Sequence, residues 1–122
     1  MTLQAQQLAD RYAAVWNEAD DNARRVAIAG LFTPDGVHYV NTREARGHAA
    51  LEDRVTGAYE KNVRDGGHLF RAQRNAQSLR NVVTFNWEMI EPATGEVLAV
   101  GLEFLQVGED GRIACDHQFM VS

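Results

Sequence analysis

Cysteine occurs once in the 122 residues, as Cys115, so no internal disulfide can form. Cys115 reads as a structural thiol rather than a nucleophile, because nothing in its neighbourhood would lower its pKa. Lysine also occurs once, as Lys61, and the net charge is -5. An acidic chain of this kind has no global basic field to draw it to nucleic acid or to anionic lipid. No apolar run approaches the roughly 20 residues that a membrane helix needs. Met1 to Gln7 lacks the basic start and apolar core of a signal peptide, so the cytoplasm is the expected setting. With only two prolines, no repeat and no low-complexity tract, residues 1–122 are expected to form one domain. That length suffices to bury about two-thirds of the unfolded surface. Metal signatures are missing too: His38, His48, His68 and His117 have no HExxH, CxxC or facial-triad spacing, and Gly66-Gly67 is no phosphate-binding loop. Neither a metal nor a cofactor is expected.

The pattern that is present begins with helices. Leu3 to Asn17 is amphipathic, with Leu8, Tyr12 and Trp16 on one stripe at four-residue spacing, beside Val15. Asp20, Asp21 and Asn22 are N-cap candidates for a second helix over Ala23 to Ala29, with Gly30 as its end. Thr33-Pro34-Asp35-Gly36 reads as a turn before a short strand, Val37 to Val40. A third helix is expected over Gly47 to Asn62, with Leu51, Val55, Ala58 and Tyr59 on its apolar face, stopped by Arg64-Asp65-Gly66-Gly67.

From there the period changes to two. His68 to Ser78 reads as a long polar strand and Leu79 to Ile90 as a stronger one, closed by the Pro92 to Gly95 loop. Val97 to Val107 and Arg112 to Val121 follow, around a turn at Gly108 to Gly111. Helices followed by hairpin-linked strands indicate an α+β fold: three N-terminal helices packed on a strongly curved, mainly antiparallel sheet that encloses a pocket.

Two acids interrupt the last strands. Glu103 shares a face with Ala99, Gly101, Leu105 and Val107, and Asp116 with Ala114, Gln118 and Met120. An acid among small and apolar neighbours is costly unless paired, hydrated or used, which points to a lined cavity. Glu103 is expected to be a protonated donor or to pair with Arg71 or Arg74. Burial would raise the pKa of Asp116 toward the range of general acid–base work. Tyr12 and Trp16 supply a core stripe that doubles as cavity wall, extended by Phe85 and Trp87, and a ligand with a ring or apolar body suits it.

The order of elements resembles the nuclear transport factor 2-like superfamily, with its SnoaL-like polyketide cyclases and ketosteroid isomerases. Arg11-Tyr12, Trp16-Asn17, Leu31-Phe32-x-x-Asp35, Gly47-His48-Ala49-Ala50-Leu51 and Asp110-Gly111-Arg112-Ile113 carry the resemblance over essentially the whole chain. It implies a cone open at one end and a homodimer packed through the outer sheet face. Ketosteroid isomerases pair a helix-one tyrosine with a protonated strand aspartate as an oxyanion hole; Tyr12 and Glu103 match those places. The isomerase base position holds Val40, and the cyclase base position holds Gln118, with Asp116 two residues earlier.

The resemblance and the residues together suggest a protein that binds a small apolar or aromatic molecule. If it is an enzyme, the expected chemistry is cofactor-independent proton transfer: isomerisation, cyclisation, dehydration or hydration. Asp116 or His38 would move the proton, and Tyr12 with Glu103 would stabilise an enolate-like oxygen. Trp16, Val40, His68, Phe85, Trp87, Gly101, Gln118 and Met120 would line the site. The alternative is a module of the same fold that binds a ligand or a protein without turnover. His117 is expected to face outward with Cys115 and Phe119, and His48 to open the third helix.

Overall fold

The structure, a computed structural model, describes residues 4–121. Among them the chain forms three α-helices, α1 (Ala5–Asn17), α2 (Asp21–Leu31) and α3 (His48–Ala58), the last continued by a π-helical stretch (Tyr59–Asp65). Seven strands complete the fold: β1 (Phe32–Val40), β2 (Arg43–Arg46), β3 (Leu69–Ala72), β4 (Gln77–Leu79), β5 (Val82–Ile90), β6 (Val97–Val107) and β7 (Ile113–Met120). They make one curved sheet in the order β2-β1-β7-β6-β5-β3, with β4 also on β5. The β1–β7 pair is parallel and every other pair antiparallel.

The expected stripe of α1 is the buried one, comprising Leu8, Ala9, Tyr12, Ala13, Val15 and Trp16; the expected start at Leu3 lies outside the described residues. At the helix end, Asn17 donates from Nδ2 to the Phe70 carbonyl (2.7 Å) and accepts the Phe70 N–H at Oδ1 (2.9 Å). Its amide thereby gives edge strand β3 the backbone partner that a further strand would supply. Asp20 caps α2, accepting the Ala23 N–H at 2.7 Å. Gly30 does not end that helix: Leu31, 2% exposed, carries the helical face one residue further into the core before Phe32 enters the sheet. Arg24, itself 1% exposed, fastens α2 to its surroundings through the Glu18 carbonyl, the Asp21 carboxylate and the Thr56 hydroxyl.

Several strands differ from the sequence expectation. β2 was hidden because Arg43, Glu44 and Arg46 mask its alternation; it pairs back on β1 through a tight turn in which Asn41 takes φ 53°. The expected strand from His68 to Ser78 is two strands, with His68 before the first. In the gap, the Gln6 amide donates to the Gln73 carbonyl (3.0 Å) and accepts the Ala76 N–H (3.2 Å), so α1 satisfies backbone groups that a ladder would otherwise hold. Thr33 to Gly36 is not a separate turn but an out-of-register segment within β1, between the pairs Phe32–Ile113 and Val37–Cys115. The third helix is α-helical only to Ala58 and widens to π geometry after it, a form that recurs at functional sites.

β6 alternates as expected, with Gly101, Glu103, Leu105 and Val107 buried and Phe104 and Gln106 exposed. β7 does not. Val107 pairs with Ile113 and Gln106 with Cys115, leaving Ala114 as an extra, exposed residue rather than a neighbour on the Asp116 face. This bulge bends β7 and sets the facing of every residue after it. Around Ile28, Phe32, Val83, Leu105 and Ile113 the interior is fully packed.

Gly101 pairs directly with Trp87, and a Cβ at position 101 would lie 2.1 Å from the indole carbon Cε2. The glycine therefore exists to let the indole cross the sheet. Replacing it with alanine would force an overpacked core. We expect Gly101→Ala to lower stability in urea titrations by about 1–3 kcal/mol.

Candidate functional site

A cavity of about 560 Å³ lies between the second half of α3, the end of α1 and the open side of the sheet. Trp16, Phe70, Trp87 and Met89 give it an apolar wall, and Tyr12 reaches its surface. Of the residues expected to line it, Trp16, Val40, Trp87, Gln118 and Met120 do so. Three do not. Phe85 is 1% exposed and packs edge-on against Tyr12 at 5.6 Å, behind the lining. Gly101 is covered by the Trp87 indole. His68 precedes β3 and lies outside the lining, half-buried, with its Nδ1 unpartnered.

Behind Tyr12 the four expected catalytic candidates meet. Tyr12 Oη donates to Asp116 Oδ2 at 2.6 Å, and His38 Nδ1 lies 2.7 Å from the same oxygen. Trp87 Nε1 donates to Glu103 Oε1 at 2.8 Å. Exposure of Tyr12, His38, Glu103 and Asp116 is 2%, 1%, 0% and 0%. Strand register produces this convergence: parallel pairing sets His38 against Asp116, and antiparallel pairing puts Leu105 against Asp116, so Glu103 lies diagonally across on the same face. Glu103 has no arginine partner; Arg71 pairs with Glu88 at 2.9 Å and Arg74 with Asp10, both on the surface.

The protons can be placed from this geometry. A carboxylate oxygen only accepts, so His38 carries hydrogen on Nδ1 and presents Nε2, which is buried and unpartnered. Burial, followed by the Asp116 charge, holds the Glu103 carboxyl well above its ordinary range. Burial pushes Asp116 upward too, but the adjacent His38 and hydrogen bonds from Glu103, His38 and Tyr12 outweigh it and hold Asp116 below its ordinary range. Burial and the two neighbouring acids push Tyr12 well above 10, so it stays a protonated donor. No N–H or O–H of another residue reaches Glu103 Oε2 or Asp116 Oδ1. A proton retained by Glu103 and shared with Asp116 satisfies both oxygens, as two adjacent buried carboxylates require.

Ligand-type atoms of His38, Glu103 and Asp116 all lie within 4.8 Å of one another, a donor set that could hold a cation. Motif spacing could not show this trio, which comes from three strands. The 2.7 Å contact of Nδ1 with Oδ2 would have to break to admit an ion between them, so the arrangement fits proton storage better.

Other histidines are elsewhere. His117 faces outward, stacked on Tyr39 at 5.2 Å and near Phe104 at 6.1 Å. Half-buried Cys115 lies beside it, 3.7 Å from Nδ1, its thiol pushed up by burial. His48 opens α3, with Nε2 3.0 Å from the Phe32 carbonyl. The sequence reading missed Arg43, Arg54, Lys61 and Asn62, which also line the cavity. For Arg54 a signal existed: it stands among Leu51, Val55 and Ala58, on the helix face that turns inward.

Residues 9–115 match the SnoaL-like domain family. The chain belongs to that family. Among solved structures, a candidate isomerase of the SnoaL-like family from Agrobacterium tumefaciens superposes with a TM-score of 0.87 at 21% identity, over 99% of this chain and 100% of that one. A candidate polyketide cyclase from Sinorhizobium meliloti gives 0.68 at 13% identity, covering 92% and 93%. A nuclear transport factor 2-like protein of unknown function from an Exiguobacterium species gives 0.71 at 19% identity, covering 94% and 98%. At these identities the likeness is one of fold. No curated protein matches the sequence.

The SnoaL-like site has a pH signature. Glu103 binds its proton more tightly folded than unfolded, so its contribution is full below about 4.5 and is lost as pH rises through the elevated folded value. Asp116 acts oppositely: its contribution is present above 3.8 and is lost as pH falls through the lowered folded value. Glu103→Gln keeps a neutral hydrogen-bonding group in place. Its melting temperature should exceed the parent's at about pH 8 and match it at about pH 4, as thermal melts would show.

Proposed function

We propose that this SnoaL-like protein is a cofactor-independent proton-transfer enzyme of the isomerase, cyclase or dehydratase type, acting on a small, partly apolar organic substrate. The observation that carries the proposal is Tyr12. Of the four candidates it is the one that lines the main cavity, and it is bonded at 2.6 Å to a buried acid. Because it keeps its proton, it becomes a donor toward oxygen that gains charge during reaction when its single O–H turns from Asp116 to that oxygen.

The base in this reading is His38, oriented by Asp116. His38 borders a smaller cavity of about 370 Å³ that shares Arg43, Asp53 and Arg54 with the first. A carbon-bound proton next to a carbonyl passes to Nε2, the electron pair moves onto the carbonyl oxygen, and Tyr12 turns its O–H from Asp116 to that oxygen. Return of the proton to another carbon gives an isomer. Return to a departing β-hydroxyl gives water and an unsaturated product. Asp116 serves as the positioning acid, and Glu103, protonated, keeps the anionic charge of the pair to one. Assembly into a homodimer through the outer sheet face, where Phe104 and Phe119 are exposed, belongs to the same proposal.

One observation favours a second reading, a binding module without turnover. The two positions where relatives of this fold carry a base hold Val40 and Gln118, and both line the cavity without a titratable group.

Deuterium exchange separates the two. A panel of cyclic aryl ketones incubated with the protein in deuterium oxide should gain deuterium at the α-carbon faster than the buffer control, followed by NMR. Tyr12→Phe and His38→Gln should each slow the exchange by about 10²–10⁴-fold. A ketone that quenches Trp16 and Trp87 fluorescence, and so binds, yet exchanges at the control rate would establish the binding module instead.

A further inference from the structure

The charge on the cavity is opposite to the charge of the chain. The protein carries a net charge of -5, yet the cavity is lined by Arg43, Arg54 and Lys61 against one acid, Asp53. Lys61 is the sole lysine in the sequence, and it is brought to the lining by the π-helical stretch.

Arg54 is the informative member. It is half-buried, and it makes no hydrogen bond and no ion pair to any described residue; its Nε is fully buried without a partner. A buried guanidinium N–H is ordinarily paired, because it has lost water and gained nothing. The side chain is nonetheless held against the aromatic wall: its guanidinium carbon lies 5.1 Å over the Trp16 ring. Burial lowers its proton affinity and Arg43 nearby adds repulsion, against attraction from Tyr12, Glu103 and Asp116. The buried acids attract it through space but form no hydrogen bond with it: Asp116 has Tyr12 and His38 as partners and Glu103 has Trp87. Two arginines that repel each other across a cavity wall are stabilised when an anion enters between them.

We propose that the cavity selects molecules carrying a carboxylate, held by the Arg54 fork with Arg43 and Lys61 supporting it, while the apolar body lies along Trp16, Phe70 and Trp87 and the far end meets Tyr12. This rests on the reading of the cavity as a small-molecule site, and not on the proton-transfer chemistry. The aromatic wall beside a planar cation suits a ring-bearing acid: the ring is covered by aromatic surface, and the carboxylate matches the fork in a bidentate pair.

The probe is 2-naphthoate, compared with its uncharged isostere 2-naphthamide, each titrated calorimetrically into the full chain. Naphthoate should bind about tenfold or more tightly than the amide, and salt should weaken it and leave the amide unchanged. Arg54→Gln should weaken naphthoate by about 10- to 100-fold and change the amide by less than about twofold. Arg54→Lys, which keeps charge but loses the fork, should recover part of the loss. Arg43→Gln, at an exposed position, tests the same electrostatics if the Arg54 variants fold poorly, and should weaken naphthoate alone. Equal affinities for acid and amide, or equal losses of both in Arg54→Gln, would overturn the carboxylate preference and leave an apolar small-molecule cavity standing. Failure of both probes to bind would overturn the preference and the cavity reading together.

Discussion

One hydrogen bond joins the two ends of the fold. Tyr12 on α1 donates to Asp116 on β7 across 104 residues of sequence, at 2.6 Å. Asp116 is a charge held entirely out of water, and it persists there because a phenol, an imidazole and a neighbouring protonated carboxyl share it. The rest of the site follows from that constraint. His38 must offer Nδ1 to the acid and so turns Nε2 away from it. Burial and the adjacent Asp116 hold Glu103 toward its protonated form. Tyr12 in turn keeps its proton, committed to Asp116, at the surface of the cavity.

The interior divides its work by location. Apolar side chains fill the region around Ile28, Phe32, Leu105 and Ile113, where packing alone is needed. The proton-bearing groups form a layer behind Tyr12, in a low-dielectric setting that strengthens each bond among them. The cavity beyond combines aromatic walls with cations from α3, its π-helical extension and the start of β2. Trp87 links these regions: its indole forms cavity wall, crosses Gly101 and ends at Glu103. A glycine in the middle of a long strand is thus a condition for the proton network.

Irregular backbone does much of the positioning. The bulge at Ala114 determines which residues of β7 face inward, so Asp116 is buried because of an interruption rather than by simple alternation. Widening after Ala58 brings Lys61 and Asn62 to the cavity. A glutamine from α1 holds two backbone groups in the break between β3 and β4. That partner is distant in sequence, so the break is not expressed in the local pattern of residues that forms it.

That division separates what was legible from what was not. Three helices followed by hairpin-linked strands, the buried stripe of α1, the Asp20 cap and the inward face of β6 follow from local periodicity, and local periodicity is written in the sequence. The inward Glu103 was legible for the same reason, since a charge among small and apolar neighbours stands out at spacing two, whereas the facing of Asp116 is set by the bulge at Ala114. Their partners were not. The pairing of His38 with Asp116 depends on β1 lying parallel to β7 in one register, 78 residues apart. Glu103 finds Trp87 rather than Arg71 only once β5 and β6 are aligned around Gly101, and Arg54 becomes a cavity cation only when α3 docks. Sequence determined which segments would be helix or strand and where charges would be buried. Tertiary structure alone decided which charges share a proton and which is left unpaired, because register and docking set distances between residues that have no local relation.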